Sequence, residues 1–214
     1  MRRIFVGDIQ GCREPLERLL DAVRFDAGAG DVLFPVGDLV AKGPDSLGVL
    51  RLLRDLDAHP VLGNHDLAWL RDGRIEAPDL AAWLARQPLL RIHQDLLVVH
   101  AGLHPHWGEA ELQDLAARPA SSDDPDAWYL TTVRYCDARG VRPASDWPVP
   151  DPPFVPWDAH YRGPRRVVFG HWARRGLDLT PRVVALASGC VYGNPLSAWI
   201  AEEDRVVQVE GQRP

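Results

Sequence analysis

Five short apolar runs in this 214-residue chain each end in a polar group able to do chemistry. "RIFVGDIQG" (3–11) delivers Asp8 and Gln10, "DVLFPVGD" (31–38) delivers Asp38, and "PVLGNHD" (60–66) delivers Asn64, His65 and Asp66. Farther along, "DLLVVHAG" (95–102) delivers His100 and "RVVFGHW" (166–172) delivers His171. Carboxylates, imidazoles and an amide, with no thiolate among them, form the donor set of a hard-to-borderline divalent metal site. Two ions sharing one bridging carboxylate fit this inventory. Taken singly, a Gly-Asp pair after a strand is a turn or a helix cap, and a lone His is a structural residue. Five such strand ends in one small chain argue together for a site. His59, His93, His104, His106 and His160 lack that context and read as surface or core residues.

Groups so far apart in sequence meet only if the strands carrying them lie side by side. In open α/β sheets, residues just past the carboxyl ends of strands line the functional crevice. The intervening segments supply such a scaffold. Leu16, Leu19, Leu20 and Val23 recur at helical spacing within 14–24, with Pro15 near the first turn, where its missing N–H costs little. Residues 31–38 read as a second strand despite Pro35, which donates no ladder bond. A helix over 46–56, the apolar 60–63, a helical segment through 81–85 and a strand at 95–100 continue an alternation that predicts an α/β fold. From Arg166 onward, "RVVFG", "RVVALA", "LSAWIA" and "RVVQVE" come at intervals too short for helices and read as largely antiparallel strands of a second sheet. Between the halves, residues 142–164 hold seven prolines. This segment reads as a rigid surface loop walling a site in preference to a polyproline ligand for another protein.

Composition sets the frame around these motifs. With 46% hydrophobic and 25% charged residues, the chain is long enough for one sizeable core and short for two, which predicts a single globular domain over 1–214. No apolar run approaches the roughly 18 residues of a membrane span, and the four apolar residues after the basic start are too few for a signal peptide. Cys12, Cys136 and Cys190 make neither an even disulfide set nor a CxxC pair, which fits a reducing compartment and a cytoplasmic protein. A formal charge of −6 argues against a general nucleic-acid binder, so an anionic substrate must meet locally placed cations.

In order and type these motifs resemble those of the calcineurin-like metallophosphoesterases: "GDIQG", "GDLVAKG", "GNHD", "HAG" and "GHW" stand where that family has GDxHG, GDxxxxG, GNHD or GNHE, HAG and GH. "GDLVAKGPDSLGVLRLL", "VLGNHDLAWL", "LVVHAGLHPHW", "FGHWA" and "SGCVYGN" resemble the bacterial symmetrical diadenosine tetraphosphatases more than the related protein serine/threonine phosphatases. The resemblance implies a four-layer α-β-β-α sandwich of two mixed sheets flanked by helices, with a dinuclear metal centre at one edge. It implies that Asp8 and Gln10 hold one ion, that Asp38 bridges both, and that Asn64, His100 and His171 hold the other. Manganese or cobalt are the first candidates, with iron, zinc, nickel or magnesium after them. A hydroxide between two ions roughly 3.5–4 Å apart would attack phosphorus in line, His65 would protonate the departing oxygen, and Asp66 would fix the His65 ring.

Several positions depart from the family pattern. Gln10 replaces the usual histidine and binds transition metals less strongly than imidazole. Lys42 stands where the family has arginine, exchanging a bidentate fork for a point charge. Arg134 in "TTVRYC" resembles the second phosphate-binding arginine, with a solvated helix residue as the alternative. Trp107, Trp172 and Tyr135 are the candidate base-stacking surfaces, and Ser188, where the resemblance suggests Asp, has no functional reading. The function implied is hydrolysis of dinucleoside polyphosphates to two nucleoside diphosphates, extending to the nucleotide caps of RNA ends, with no obligate protein partner. A protein phosphatase using the same site is the runner-up. Gln10 and Lys42 together suggest a third reading, a binding protein that has lost turnover, and the retained His65 and Asp66 argue against it.

Overall fold

Period-two alternation along short apolar strands builds the molecule. The computed structural model describes residues 1–212. In chain order its regular elements are β1 (Arg3–Val6), α1 (Arg13–Val23), β2 (Val32–Pro35), α2 (Ser46–Asp55), α3 (Asn64–Arg71), α4 (Pro78–Ala85), β3 (Leu90–Ile92), β4 (Leu96–Val99), α5 (Glu109–Ala117), α6 (Ala127–Thr132), β5 (Tyr135–Cys136), β6 (Val155–Pro156), β7 (Arg166–Phe169), β8 (Asp178–Leu179), β9 (Val183–Ala185), β10 (Leu196–Ile200) and β11 (Arg205–Val209). Among the described residues, no helix is long and apolar enough to cross a membrane.

Two mixed sheets face one another. One has the order β11-β10-β1-β2 and the other β3-β4-β7-β9-β8. Phe5, Phe34 and Trp199 from the first meet Leu96, Val98, Val168 and Val184 from the second in one buried cluster. Their strand neighbours Ile4, Val6, Leu97, Val99, Val167 and Val183 turn the other way, into a cluster shared with Leu16 and Leu19 of α1 and Val49, Leu50 and Leu53 of α2. Alternate side chains thus fix both the sheet-on-sheet layer and the helix layers outside it. At the centre Phe5 stacks on Phe34 with centroids 5.0 Å apart, and Phe5→Ala would cost about 3–5 kcal/mol.

Strand partners differ from the sequence expectation in three places. The C-terminal strands do not make a sheet of their own. Instead, β10 and β11 extend the first sheet, with Phe5 opposite Trp199 in the antiparallel β1–β10 ladder, while β7 and β9 join β4 in parallel. An apolar run fits either kind of ladder, and only a tight turn such as the one between β10 and β11 ties a strand to its sequence neighbour. Second, the strand expected over 31–38 stops at Pro35, which stays in it as expected, on the sheet's edge where a missing donor is tolerated. Third, residues 60–63 are not a strand. His59 and Val61 donate to Leu33 O and Pro35 O along the edge of β2, at 2.8 and 3.2 Å, and Pro35 has no N–H to return a bond to His59 O and complete a ladder. The helices α3, α5 and α6 and the strand β3 were not anticipated.

These pairings bring the site together. β1 and β2 run parallel in one sheet and β4 and β7 in the other, so the loops beginning at Gly7, Val36, His100 and Gly170 leave strand carboxyl ends. Part of residues 142–164 is tied to this framework through β6, which pairs with β5.

Candidate metal centre

Asp8 and Asp38 are positioned by their backbones. The N–H groups of Ile9 and Gln10 both donate to Asp38 O, at 3.2 and 2.7 Å, and Gly11 donates to Leu39 O at 2.9 Å, so the two acidic loops are stitched together. The Asp8 carboxylate accepts the His171 N–H at 2.9 and 3.1 Å. Asp38 accepts the His65 N–H on one oxygen at 3.0 Å and the Gln10 amide on the other at 3.1 Å. A Cβ on Gly170 would collide with the Asp8 carboxylate, and one on Gly63 with that of Asp38. Glycine is needed at both because the acids pass against bare backbone. Gln10, Asp38, Lys42 and His171 all hold positive φ, at 47°, 50°, 60° and 61°. Left-handed geometry in a non-glycine residue costs about 1–3 kcal/mol and gathers at functional sites.

The histidine tautomers are set by carbonyls. His100 Nδ1 lies 2.8 Å from Val36 O, so that nitrogen carries the proton and Nε2 faces the acids, 3.4 Å from Asp38 Oδ1. His171 Nε2 lies 3.0 Å from Thr132 O, which leaves Nδ1 with the lone pair. Ligand atoms of Asp8, Asp38 and His100 all fall within 4.8 Å of one another, and all three residues are buried. Asn64 Oδ1 and His100 Nε2 are buried without a hydrogen-bond partner. Buried polar atoms normally have partners. An unpartnered His100 ring nitrogen facing two buried carboxylates is a place that a cation would satisfy, displacing the proton that nitrogen otherwise holds, and the donor set suits a divalent metal.

Charge tells the same story. Burial pushes Asp8 up to about 6, with help from the neighbouring Asp38. Burial alone would raise Asp38 too, but His100 and His65 hold it well below the usual carboxylate range. His100 is driven down by burial and up more strongly by Asp38 and Asp8, to about 9. Burial takes His171 well below the ordinary histidine value, with His100 and Arg134 pushing the same way. His65 is half-buried and likewise lowered by burial. The cluster concentrates negative charge in a dry site, which a bound cation relieves.

Of the sequence-derived residues, Asp8, Gln10, Lys42, Arg134, Tyr135, His171 and Trp172 line one cleft of about 1140 Å³. Asp38, His65 and His100 connect to it through the contacts above, while Asn64 lines a second, smaller cleft with Leu67 and Thr132. Arg134 lies between α6 and β5, outside any helix, and its Nη1 donates to Asp146 at 2.9 Å. Lys42 Nζ donates to Tyr192 Oη at 2.8 Å.

One role changes. Asp66 is fully buried, and its oxygens accept from the N–H groups of Leu39 (2.8 Å), Val40 (3.2 Å) and Gly63 (2.9 Å). It does not orient the His65 ring: as the third residue of α3 it folds back over the helix start, whereas His65, one position earlier, projects to another side. Burial and Asp38 raise Asp66 to about 7. Trp107 packs on His104 and Tyr129 and does not line the cleft. Ser188 bonds Leu186 O at 3.1 Å and the Ser197 hydroxyl, joining the end of β9 to β10. The sequence reading missed Trp147, Arg174, Tyr192 and Asn194, all in the cleft lining. Arg174 sits three residues past His171, and Tyr192 lies inside "SGCVYGN", so proximity to known motifs was the available signal.

Residues 1–175 match the family model of the calcineurin-like phosphoesterases. Combined with the fold and the buried acid–histidine cluster, this match shows that the chain belongs to that family. Among similar proteins is the symmetrical bis(5'-nucleosyl)-tetraphosphatase of Nitrosospira multiformis, 35% identical over 96% of this chain and 94% of the relative. The protein of that name from Aeromonas hydrophila is 37% identical over 97% of each. A crystal structure described as a candidate diadenosine tetraphosphatase superposes with a TM-score of 0.81 at 37% identity, covering 100% of this chain and 95% of the other. A metallophosphoesterase from Sphaerobacter thermophilus shares the fold, with a TM-score of 0.60 at 16% identity over 100% and 89% of the two chains.

Proposed function

We propose that residues 1–214 act as one cytoplasmic metallophosphoesterase unit that hydrolyses diadenosine tetraphosphate symmetrically to two ADP. The observation carrying this reading is the buried Asp8–Asp38–His100 cluster, its ligand atoms within 4.8 Å, beside a cleft lined by Lys42 and Arg134. The substrate follows from the names of relatives at 35–37% identity over nearly the full chain. Asp8 and Gln10 would hold one divalent ion, Asp38 would touch both, and Asn64, His100 and His171 would hold the second. Bound there, the ions supply a nucleophilic water near neutral pH and charge to steady the phosphate. Manganese and cobalt are the first ions to assay.

The chain's own residues do the rest. Lys42 and Arg134 draw the phosphate chain along the cleft and determine which phosphorus is presented. His65, whose Nε2 lies 3.9 Å from Asp38 Oδ2, gives its proton to the departing phosphate oxygen. Asp66 acts through the backbone, holding the loop after Asp38 against the start of α3.

The test is product analysis with Mn²⁺, Co²⁺ and Mg²⁺ in parallel. Diadenosine tetraphosphate should give two ADP on ion-exchange chromatography, with solvent oxygen in one of them and no phospho-enzyme. AMP plus ATP as the dominant pair would overturn central cleavage. Capped RNA ends, which share the phosphate chain, are the next substrates to assay.

A further inference from the structure

Given the dinucleotide hydrolase proposed above, on which this assignment rests, we infer that Tyr192 and Trp147 are its two nucleobase platforms, one for each purine of the substrate. Phosphate chemistry does not explain the apolar rim of this cleft. Among the described residues, the exposed large hydrophobics include only two aromatic rings, Trp147 (65% exposed) and Tyr192 (64%), and both line the cleft with Val149. Exposed apolar groups gathered at one site mark a binding surface.

Each ring already has a cation beside it, Arg174 over a face of Trp147 and Lys42 at the hydroxyl end of Tyr192. Lys42 Nζ lies 5.2 Å from the Tyr192 centroid, and Arg174 Cζ lies 4.2 Å from that of Trp147. Each is also coupled to a phosphate-binding candidate. Lys42 itself donates to Tyr192 Oη at 2.8 Å, and Asp146, the residue before Trp147, holds Arg134 at 2.9 Å. A positive charge beside a flat, solvent-open apolar face therefore occurs twice in one cleft. A nucleotide presents the complement, an anionic chain joined to a planar base, and a dinucleoside polyphosphate presents it at both ends. Tyr135 and Trp172 do not offer such faces. Each is only 9% exposed, and they pack edge to face with centroids 4.7 Å apart. Stacking on Tyr192 and Trp147 tolerates any base, so guanine should serve as well as adenine.

The experiment is a pair of calorimetric titrations of the metal-loaded full chain, one with ADP and one with pyrophosphate, which carries the phosphates without the base. The wild-type chain should bind ADP at least about tenfold more tightly. Trp147→Ala and Tyr192→Ala should each cut that preference severalfold and the double variant should abolish it, while Trp147→Phe and Tyr192→Phe keep most of it. In steady-state assays the alanine variants should raise KM for diadenosine tetraphosphate more than they lower kcat. An undiminished ADP preference in both alanine variants, or no preference in the wild type, overturns the assignment. These titrations need no turnover, so their outcome is distinct from that of the product analysis, which alone decides the position of cleavage.

Discussion

Asp38 accepts the backbone N–H of His65 at 3.0 Å. The acid assigned to both ions is thus tied to the proposed proton donor through the main chain and not through its ring. His65→Ala keeps that hydrogen bond, so metal content and fold should survive while turnover on diadenosine tetraphosphate falls about 10²-fold or more. Nitrophenyl phosphate, whose leaving group needs little protonation, should lose less. Equal losses on the two substrates would count against a proton-donating role.

Replacement of Asp38 should be more damaging than replacement of Gln10. Asp38 gathers the His65 N–H, the Gln10 amide and the His100 ring within 3.4 Å, whereas Gln10 contributes one neutral amide. Asp38→Asn is expected to lose bound metal and most activity, and Gln10→Ala to lose less of both. Metal analysis beside turnover decides this. Full metal content with near-normal turnover in Asp38→Asn would refute the bridging role.

Asp66→Ala should act on stability. It strands the buried N–H groups of Leu39, Val40 and Gly63. At about 1–3 kcal/mol for each unsatisfied donor, a loss of about 3 kcal/mol or more is expected. The shift in the denaturant midpoint measures it, and a change below about 1 kcal/mol would show that water or another group takes over the bonds.

The acids and His100 also give the metal-free protein a distinctive pH dependence. Burial raises Asp8 to about 6 and Asp66 to about 7, and Asp38 lifts His100 against burial to about 9, so all three hold protons longer when folded. Native protons in excess of unfolded ones make stability fall with rising pH, here from about 4 to about 9. Asp38 is shifted the other way but titrates below this window, whereas His65, His93, His104 and His171, all lowered by burial, oppose the fall up to the ordinary histidine value and leave it unopposed above about pH 7. Calorimetric scans of chelator-treated protein should show Tm dropping between about pH 7 and 9, where Asp66 and His100 still hold their protons in the folded state. Added Mn²⁺, which needs deprotonated ligands, should restore most at the alkaline end. A Tm that rises between pH 7 and 9 in the chelated protein would contradict the burial of these charges.

The cluster of Asp8, Asp38 and His100 was legible in the sequence because each group follows an apolar run, most with a glycine beside it, and strand ends are where α/β sheets place their sites. Sheet membership was not legible. β7 and β10 both read as short, largely apolar runs, yet one pairs in parallel with β4 and the other antiparallel with β1. Short helices escaped for a different reason. In α6, "AWYLTT" is rich in aromatic and β-branched residues that carry no helical signal of their own. Asp66 was misassigned because adjacency to His65 suggests contact, while helix geometry turns the two side chains apart. Trp147 sits among prolines with no periodicity to show which way its ring would face.

Those prolines bear on how substrate is received. Seven of them lie in residues 142–164, the segment that lends Asp146, Trp147, Val149 and Pro156 to the cleft. A proline ring fixes φ near −65° and narrows the conformations a loop explores before anything binds. A wall stiffened in this way has little disorder left to surrender, so association should carry a small entropic cost, and the shape of the cleft is inherited from folding and not moulded by the ligand.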